Sequence, residues 1–460
     1  MRIVCALLCF LAPLSAADDN RSLSDRTRQY LTDLVRIDSS NPPGNETQVA
    51  QYLKQVVESF GISGEVLGPD ARRLNFVARL RGAGKGRPLL LMAHSDVVPA
   101  DRQQWSVNPF GAEVRGGFLY GRGSLDAKSL LAAEMAVMIE IKRRHLRLSR
   151  DLILLAEADE EVGSSGIQWM IQNAWSKIDA EFALNEGGSI FESRDGTRVF
   201  QIATTEKVPT RIVLTARGTA AHGSLPTTDN PINHLSKAIT RITEAEEPVH
   251  FNSTTRRYFR SLSKLEDYEW LGQLWPRLDN PATAQAAAAQ IRLRDPDLDA
   301  MLRTTIAATM LKAGGSPNVI PAIAEAQLDV RRMPVETRDE VLTRFRQVVN
   351  DPAVEVALAP GTQMPSTDPS PTMTSLYLAM DRVIKRIYPH DALAVPFMSR
   401  GATDGSFLRA RGVPVYGVPL FLREPGESRV HGADERIALK SLEDGVELLW
   451  QMVLETAGEN

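Results

Sequence analysis

Two short runs, 89–93 (Leu-Leu-Leu-Met-Ala) and 152–156 (Leu-Ile-Leu-Leu-Ala), constrain the fold more than any other feature of this chain. Each is apolar at every position, so both faces of the strand need cover, as in a parallel sheet with helices on either side. Residues 75–80 and 182–185 read as further strands. Helical spacing recurs over 126–144 and 164–173, with Asp126 near the start of the first. The rhythm predicts an α/β domain with a mostly parallel sheet.

The pattern changes near Thr205. Residues 210–217 and 324–330 alternate apolar and polar side chains, as half-exposed antiparallel strands do. Helical stretches lie between them, among them the alanine-rich 282–290, and a helix (338–349) and short strand (354–359) follow. The proline-rich 359–372 reads as a hinge, after which a helix, a strand over 413–418 and a last helix over 439–455 complete the chain. A chain of 460 residues exceeds one ordinary core. We therefore expect a signal segment at 1–17, a first catalytic part at 18–206, an inserted α+β domain at 207–360, and a second catalytic part at 361–460.

The N-terminus carries an address. Arg2 precedes an apolar stretch over 3–14, then Ser15-Ala16-Ala17 and the pair Asp18-Asp19, the order of a cleavable secretory signal. The stretch is shorter than the ~20 residues that span a bilayer, so no membrane span is expected after cleavage and the expected location is secreted or periplasmic. The two cysteines, Cys5 and Cys9, both lie inside it. A mature chain without cysteine has no disulfide, thiolate ligand or cysteine nucleophile, so any metal falls to His and carboxylates. A net charge of −4 gives no electrostatic reason to expect nucleic acid as a partner.

The chemistry-bearing residues follow the buried strands, where an α/β sheet places its ligands. The run 89–93 leads into His94-Ser95-Asp96, and the glycine-rich Gly121-Arg122-Gly123 turns towards Asp126. The run 152–156 is followed by Asp159-Glu160-Glu161, and 182–185 by Glu186-Gly187-Gly188. Near the C-terminus stands His431-Gly432-Ala433-Asp434-Glu435-Arg436. Singly these are weak: a His-x-Asp pair is more often structural, and acids after strands commonly cap helices. Together they put two histidines and several acids at one end of a sheet, an arrangement costing several kcal/mol per ion without cations. An all-oxygen-and-nitrogen donor set suits zinc.

The ordered series resembles peptidase family M20, co-catalytic zinc hydrolases that include aminoacylases, desuccinylases, carnosinases and carboxypeptidase S. The length and large insert are most similar to the carboxypeptidase S branch and its N-acyl amino acid hydrolase relatives. The resemblance implies a zinc-peptidase-like catalytic domain interrupted by a lid and dimerisation domain. It further implies two zinc ions, with cobalt or manganese as substitutes. His94 and Glu186 would hold one ion, Glu161 and His431 the other, and Asp126 would bridge them. Asp96 would fix the His94 ring and Glu160 would act as general base. Ala220-Ala221-His222-Gly223-Ser224 matches the family's oxyanion histidine, which often reaches across a dimer, so His222 takes that role. Asn318, in Gly314-Gly315-Ser316-Pro317-Asn318, and Arg331, preferred over Arg332, match segments that hold the substrate's terminal carboxylate. Gly401 and Thr403 match its glycine-rich substrate loop, which departs from the family at Ala402 and at Ser406, where many members carry arginine. Arg400 is a candidate to supply that missing contact. The implied reaction releases an amino acid with a free carboxylate from an N-acyl amino acid, a dipeptide or a short peptide, in a homodimer joined through the insert.

Two other classes fit less well. A non-catalytic metal-binding protein on the same fold would have lost Glu160 or a ligand, and all are present. A serine hydrolase needs Gly-x-Ser-x-Gly after a strand, which the chain lacks, and Gly82-Ala83-Gly84 lacks the third glycine and the helix of a dinucleotide site.

Overall fold

The computed structural model describes residues 21–459 apart from 362 and 425–428, so the expected signal at 1–17 lies outside the described residues. A nine-stranded sheet dominates. Its order runs Gly64–Leu67, Asn75–Leu80, Arg150–Glu157, Gly86–His94, Phe182–Asn185, Val415–Gly417, Arg198–Glu206, Ala392–Ser399, with Ser189–Glu192 paired to Arg198–Glu206. Gly86–His94 runs parallel to both its neighbours, and antiparallel pairs flank this parallel centre.

The two apolar runs behave as strands covered on both faces must. Leu89, Leu91 and Ala93, with Leu152, Leu154 and Ala156, enter one core beneath Leu23–Arg36, Lys128–Arg143 and Leu439–Ala457. Leu90 and Met92, with Ile153 and Leu155, enter the other, beneath Ser165–Asn173. Successive side chains of a strand point to opposite faces, so one continuous apolar run feeds two cores. Lys128–Arg143 is buried along nearly its whole length, which explains its lack of a polar face. That helix begins two residues after Asp126, so Asp126 sits in the preceding turn and its carboxylate is free for the site.

A second, four-stranded antiparallel sheet has the order Thr305–Ala313, Ile323–Arg332, Val208–Arg217, Val354–Leu358. The alternation expected over 210–217 and 324–330 places Ile212, Leu214 and Ala216 with Ala326, Leu328 and Val330 in a separate core. Pro231–Glu244 and Arg338–Val349 cover that face. The residues between do not all join this body. Tyr258, Phe259, Leu262, Ile291 and Leu302 pack with Val199, Ala203, Val395 and Phe397 of the large sheet. The expected insert at 207–360 thus feeds two cores.

Two strands of the large sheet are hard to read from sequence. Arg198–Glu206 carries threonines and a glutamine on buried positions, and Ala392–Ser399 contains Pro396. Proline is tolerated there because this strand is the sheet edge, pairing only with Arg198–Glu206.

Candidate metal centre and active-site cavity

The site forms where the central strands end. Gly86–His94 delivers His94, fully buried, and the loop after Arg150–Glu157 delivers Glu160 and Glu161. Phe182–Asn185 runs into Glu186. The carboxylate of Asp126 faces two histidines at once: Oδ1 lies 3.0 Å from His94 Nε2 and Oδ2 lies 3.1 Å from His431 Nε2. On the far sides, Glu186 approaches His94 Nε2 at 3.7 Å and Glu161 approaches His431 Nε2 at 3.2 Å. His431 holds a left-handed backbone, φ +62°, a conformation that costs energy in a residue with a Cβ and recurs at functional sites.

Charge is concentrated here. Burial, then the neighbouring Glu186 charge, pushes the Glu160 carboxyl well above the ordinary carboxylate range. Burial does the same to Glu186, with Asp126 and Glu161 adding to it. Burial disfavours charge on His94, but Glu186, Asp126 and Asp96 outweigh it and raise its pKa well above 6.5. Hydrogen bonds to Asp126 and Glu161 push His431 up to about 10. Donor atoms of His94, Asp126 and Glu161 lie within 4.8 Å of one another, as do those of His94, Glu160 and Glu186. Acids packed this closely are stabilised by divalent cations, and this oxygen-and-nitrogen donor set fits them.

Neighbouring groups fix the donors. Asp96 accepts the backbone N–H groups of Glu160 and Glu161 at 3.2 and 3.1 Å, and the side-chain amide of Asn41 at 2.9 Å. The expected contact of the Asp96 carboxylate with the His94 ring is the longer of two: Nδ1 lies 3.5 Å from Oδ1 but 3.0 Å from the Asp96 carbonyl oxygen. An Nδ1–H donated to that carbonyl would leave Nε2 to serve a cation. Glu435, fully buried, accepts from the backbone N–H groups of Gly123, Leu125 and Asp126 at 3.1, 2.8 and 3.2 Å and pairs with Arg122 at 2.6 Å. It holds the loop that carries Asp126.

Sequence reasoning gave Asn41 and Glu435 no role. Asn41 lies 55 residues from Asp96 and leaves no local trace. Glu435 left a faint one, an acid four residues after His431.

A cavity of about 800 Å³ opens over this centre. Gly401, Thr403 and Arg331 line it with Asp126, Glu160, Glu161, Glu186 and His431. Arg331 is braced by Asp329, Nε to Oδ1 at 3.0 Å and Nη2 to Oδ2 at 3.1 Å, whereas Arg332 is buried beside Thr210. Thr403 donates to Glu206 at 2.9 Å. Arg400 is engaged by Asp297 at 2.5 Å and Ser406 is buried, and neither is among the residues lining this cavity. His222 and Asn318 lie elsewhere, on a two-stranded ribbon where Ala221–His222 pairs with Val319–Ile320, and they too are absent from the lining. His222 is exposed, its Nδ1 2.7 Å from Ser224 Oγ.

The parallel sheet, the donor cluster at its strand ends and the cavity above it define a metal-dependent hydrolase of amide bonds. The chain belongs to peptidase family M20/M25/M40, whose profile matches residues 90–455. It is 29% identical over 373 residues to human "N-fatty-acyl-amino acid synthase/hydrolase PM20D1", covering 80% of this chain and 74% of that protein. It is 25% identical over 383 residues to "Probable carboxypeptidase S-like 2" of Dictyostelium discoideum, covering 80% and 72%. Among solved structures, the M20 family metallo-carboxypeptidase Sso-CP2 from Sulfolobus solfataricus superposes with a TM-score of 0.73 over 94% of this chain and 99% of that one, at 20% identity. No helix among the described residues is long and apolar enough to cross a membrane.

Proposed function

We propose that the chain is a two-zinc hydrolase that releases an amino acid with a free carboxylate from an N-acyl amino acid. The observation that carries this is the placement of the two Asp126 oxygens, one towards each histidine, beside Glu160 at the floor of the cavity. In this reading His94 and Glu186 would hold one zinc and His431 and Glu161 the other, with Asp126 serving both, and cobalt or manganese would take the same donors. When bound, such a pair acidifies water and polarises the scissile carbonyl.

The rest falls to the chain itself. Glu160, fixed by the Asp96 contact to its backbone, takes the proton of the attacking water and delivers it to the leaving amine. Arg331, braced by Asp329, presents its remaining N–H groups to the substrate carboxylate. Gly401 and Thr403 orient the substrate from the large-sheet side.

An acyl conjugate is favoured over a dipeptide by the cavity lining. Leu125, Leu130, Val418, Leu420 and Phe421 offer an apolar wall for an acyl chain. Outside the metal donors and Glu160, the acid lining the cavity is Asp329, and Arg331 already engages it. No acid among the described lining residues is left to read a free amine. The name of the human relative points the same way.

The exposed position of His222, with Asn318 beside it, suits a group that serves the cavity of a second copy, as the oxyanion donor of a homodimer. The edge strand Thr305–Ala313, with Met310 and Leu311 exposed at 61% and 69%, is the surface through which residues 207–360 would pair. The pattern of residues 2–19 supports export, to the periplasm or outside the cell. The test is amino acid release by zinc-loaded protein from matched panels of N-acyl amino acids and dipeptides. Faster release from the acyl panel is expected, and exclusive dipeptide cleavage would contradict the substrate class.

A further inference from the structure

Three guanidiniums line the cavity, and they differ in what they already hold. Arg211 and Arg331 both rise from the small sheet beside Asp329, which sits opposite Arg211 in the strand register and chelates Arg331. Arg423 comes from the other body. Its backbone N–H donates to Ile190 O at 3.0 Å, and the preceding Leu422 bridges to the same residue, which ties this segment to the large sheet. Its side chain has no hydrogen-bond or ion-pair partner within bonding distance among the described residues.

The other candidates for a cation on this side are spent. Arg400 is held by Asp297, and Arg409 is buried against Glu206 at 2.6 Å, outside the residues lining the cavity. Ser406 is buried with its hydroxyl unpartnered and offers no charge. Arg423 is exposed at the cavity wall, where desolvation and then the Arg400 charge hold its guanidinium below its ordinary pKa against the opposing influence of Tyr258 and Asp297. A cation so placed, with no carboxylate within bonding distance among the described residues, gains when an anion enters.

We propose that Arg423 is the large-sheet anchor for the α-carboxylate of the substrate, working with Arg331 from the small sheet. The carboxylate then touches both bodies, so the group that identifies the substrate also ties the two sheets together over the metal centre. This rests on the hydrolase reading above. No bond is made or broken by Arg423; it binds and positions.

The test compares an N-acyl amino acid with its carboxamide in metal-loaded wild type, Arg423→Ala and Arg423→Lys. An Arg–carboxylate contact predicts that the acid-over-amide ratio of kcat/KM falls about 10- to 100-fold in R423A, mostly through KM, with partial recovery in R423K. Because the side chain has no partner to orphan among the described residues, misfolding is not expected, and the melting temperature checks this. An unchanged ratio in R423A overturns the proposal while leaving the hydrolase reading intact. A loss confined to conjugates of aspartate and glutamate also overturns it, since Arg423 would then read a side chain. Wild type that cleaves neither compound removes the hydrolase reading and this inference with it.

Discussion

Glu435 holds Asp126 by its backbone: Oε1 accepts the Asp126 N–H at 3.2 Å while the same carboxylate takes Leu125 and Gly123 and pairs with buried Arg122. The placement of the Asp126 carboxylate between His94 and His431 therefore depends on a residue that contacts neither histidine ring. Outer groups of this kind typically change metal affinity 10–100-fold when lost.

Glu435→Ala is accordingly expected to weaken zinc binding by about 10- to 100-fold. It also strands the Arg122 charge, which costs roughly 3–5 kcal/mol of stability. Chelator competition and thermal melting read the two effects separately. Wild-type zinc affinity in this variant would show that the loop holds its shape without Glu435.

Acid sensitivity should be set partly at the junction of the two bodies. Burial would raise the Glu336 carboxyl from its ordinary 4.5, but His250, Thr304 and Arg344 hold it down to about 2. A depressed carboxyl contributes stability that is present above pH 4.5 and is lost as pH falls towards 2. Glu336 is 6% exposed, so screening by water is small and the contribution reaches about 3 kcal/mol at neutral pH. Glu336→Gln should be less stable than wild type at pH 7, with the gap closing below pH 4.5. Denaturation curves at several pH values measure it, and a gap independent of pH would contradict the assignment.

Assembly is tested at the exposed edge strand. Replacing both Met310 and Leu311 by lysine is expected to convert a dimer to monomers in sedimentation experiments, since charge on an edge strand opposes strand pairing. The same variant should lose activity if His222 serves the partner's cavity. A variant that sediments as wild type would move the interface elsewhere.

Much of the candidate donor cluster was legible in the sequence because His94, Glu160, Glu161 and Glu186 stand at or just after apolar runs that read as covered strands. The run 89–93 dictates where His94 stands, and 152–156 does the same for Glu160 and Glu161. What escaped reading depends on the chain meeting itself far away. Asn41 reaches Asp96 across 55 residues, and Arg423 earns a place in the cavity only because Ile190 anchors its backbone. Arg400 and Arg423 look alike as letters. Asp297 removes the first from contention, and that pairing is purely tertiary. The helices over 253–302 read as part of the insert but pack on the large sheet, because the strands they cover, Arg198–Glu206 and Ala392–Ser399, carry no clear strand pattern themselves.

The most direct measurement is single-turnover release of amino acid by zinc-loaded wild type and Glu160→Gln, with metal content determined on the same samples. The expected result is two zinc ions per chain in both proteins, release from an N-acyl amino acid by wild type, and a rate lower by about 100-fold or more in the variant. Near-wild-type release by Glu160→Gln, or a wild type that binds two zinc ions and cleaves no amide, would contradict the account.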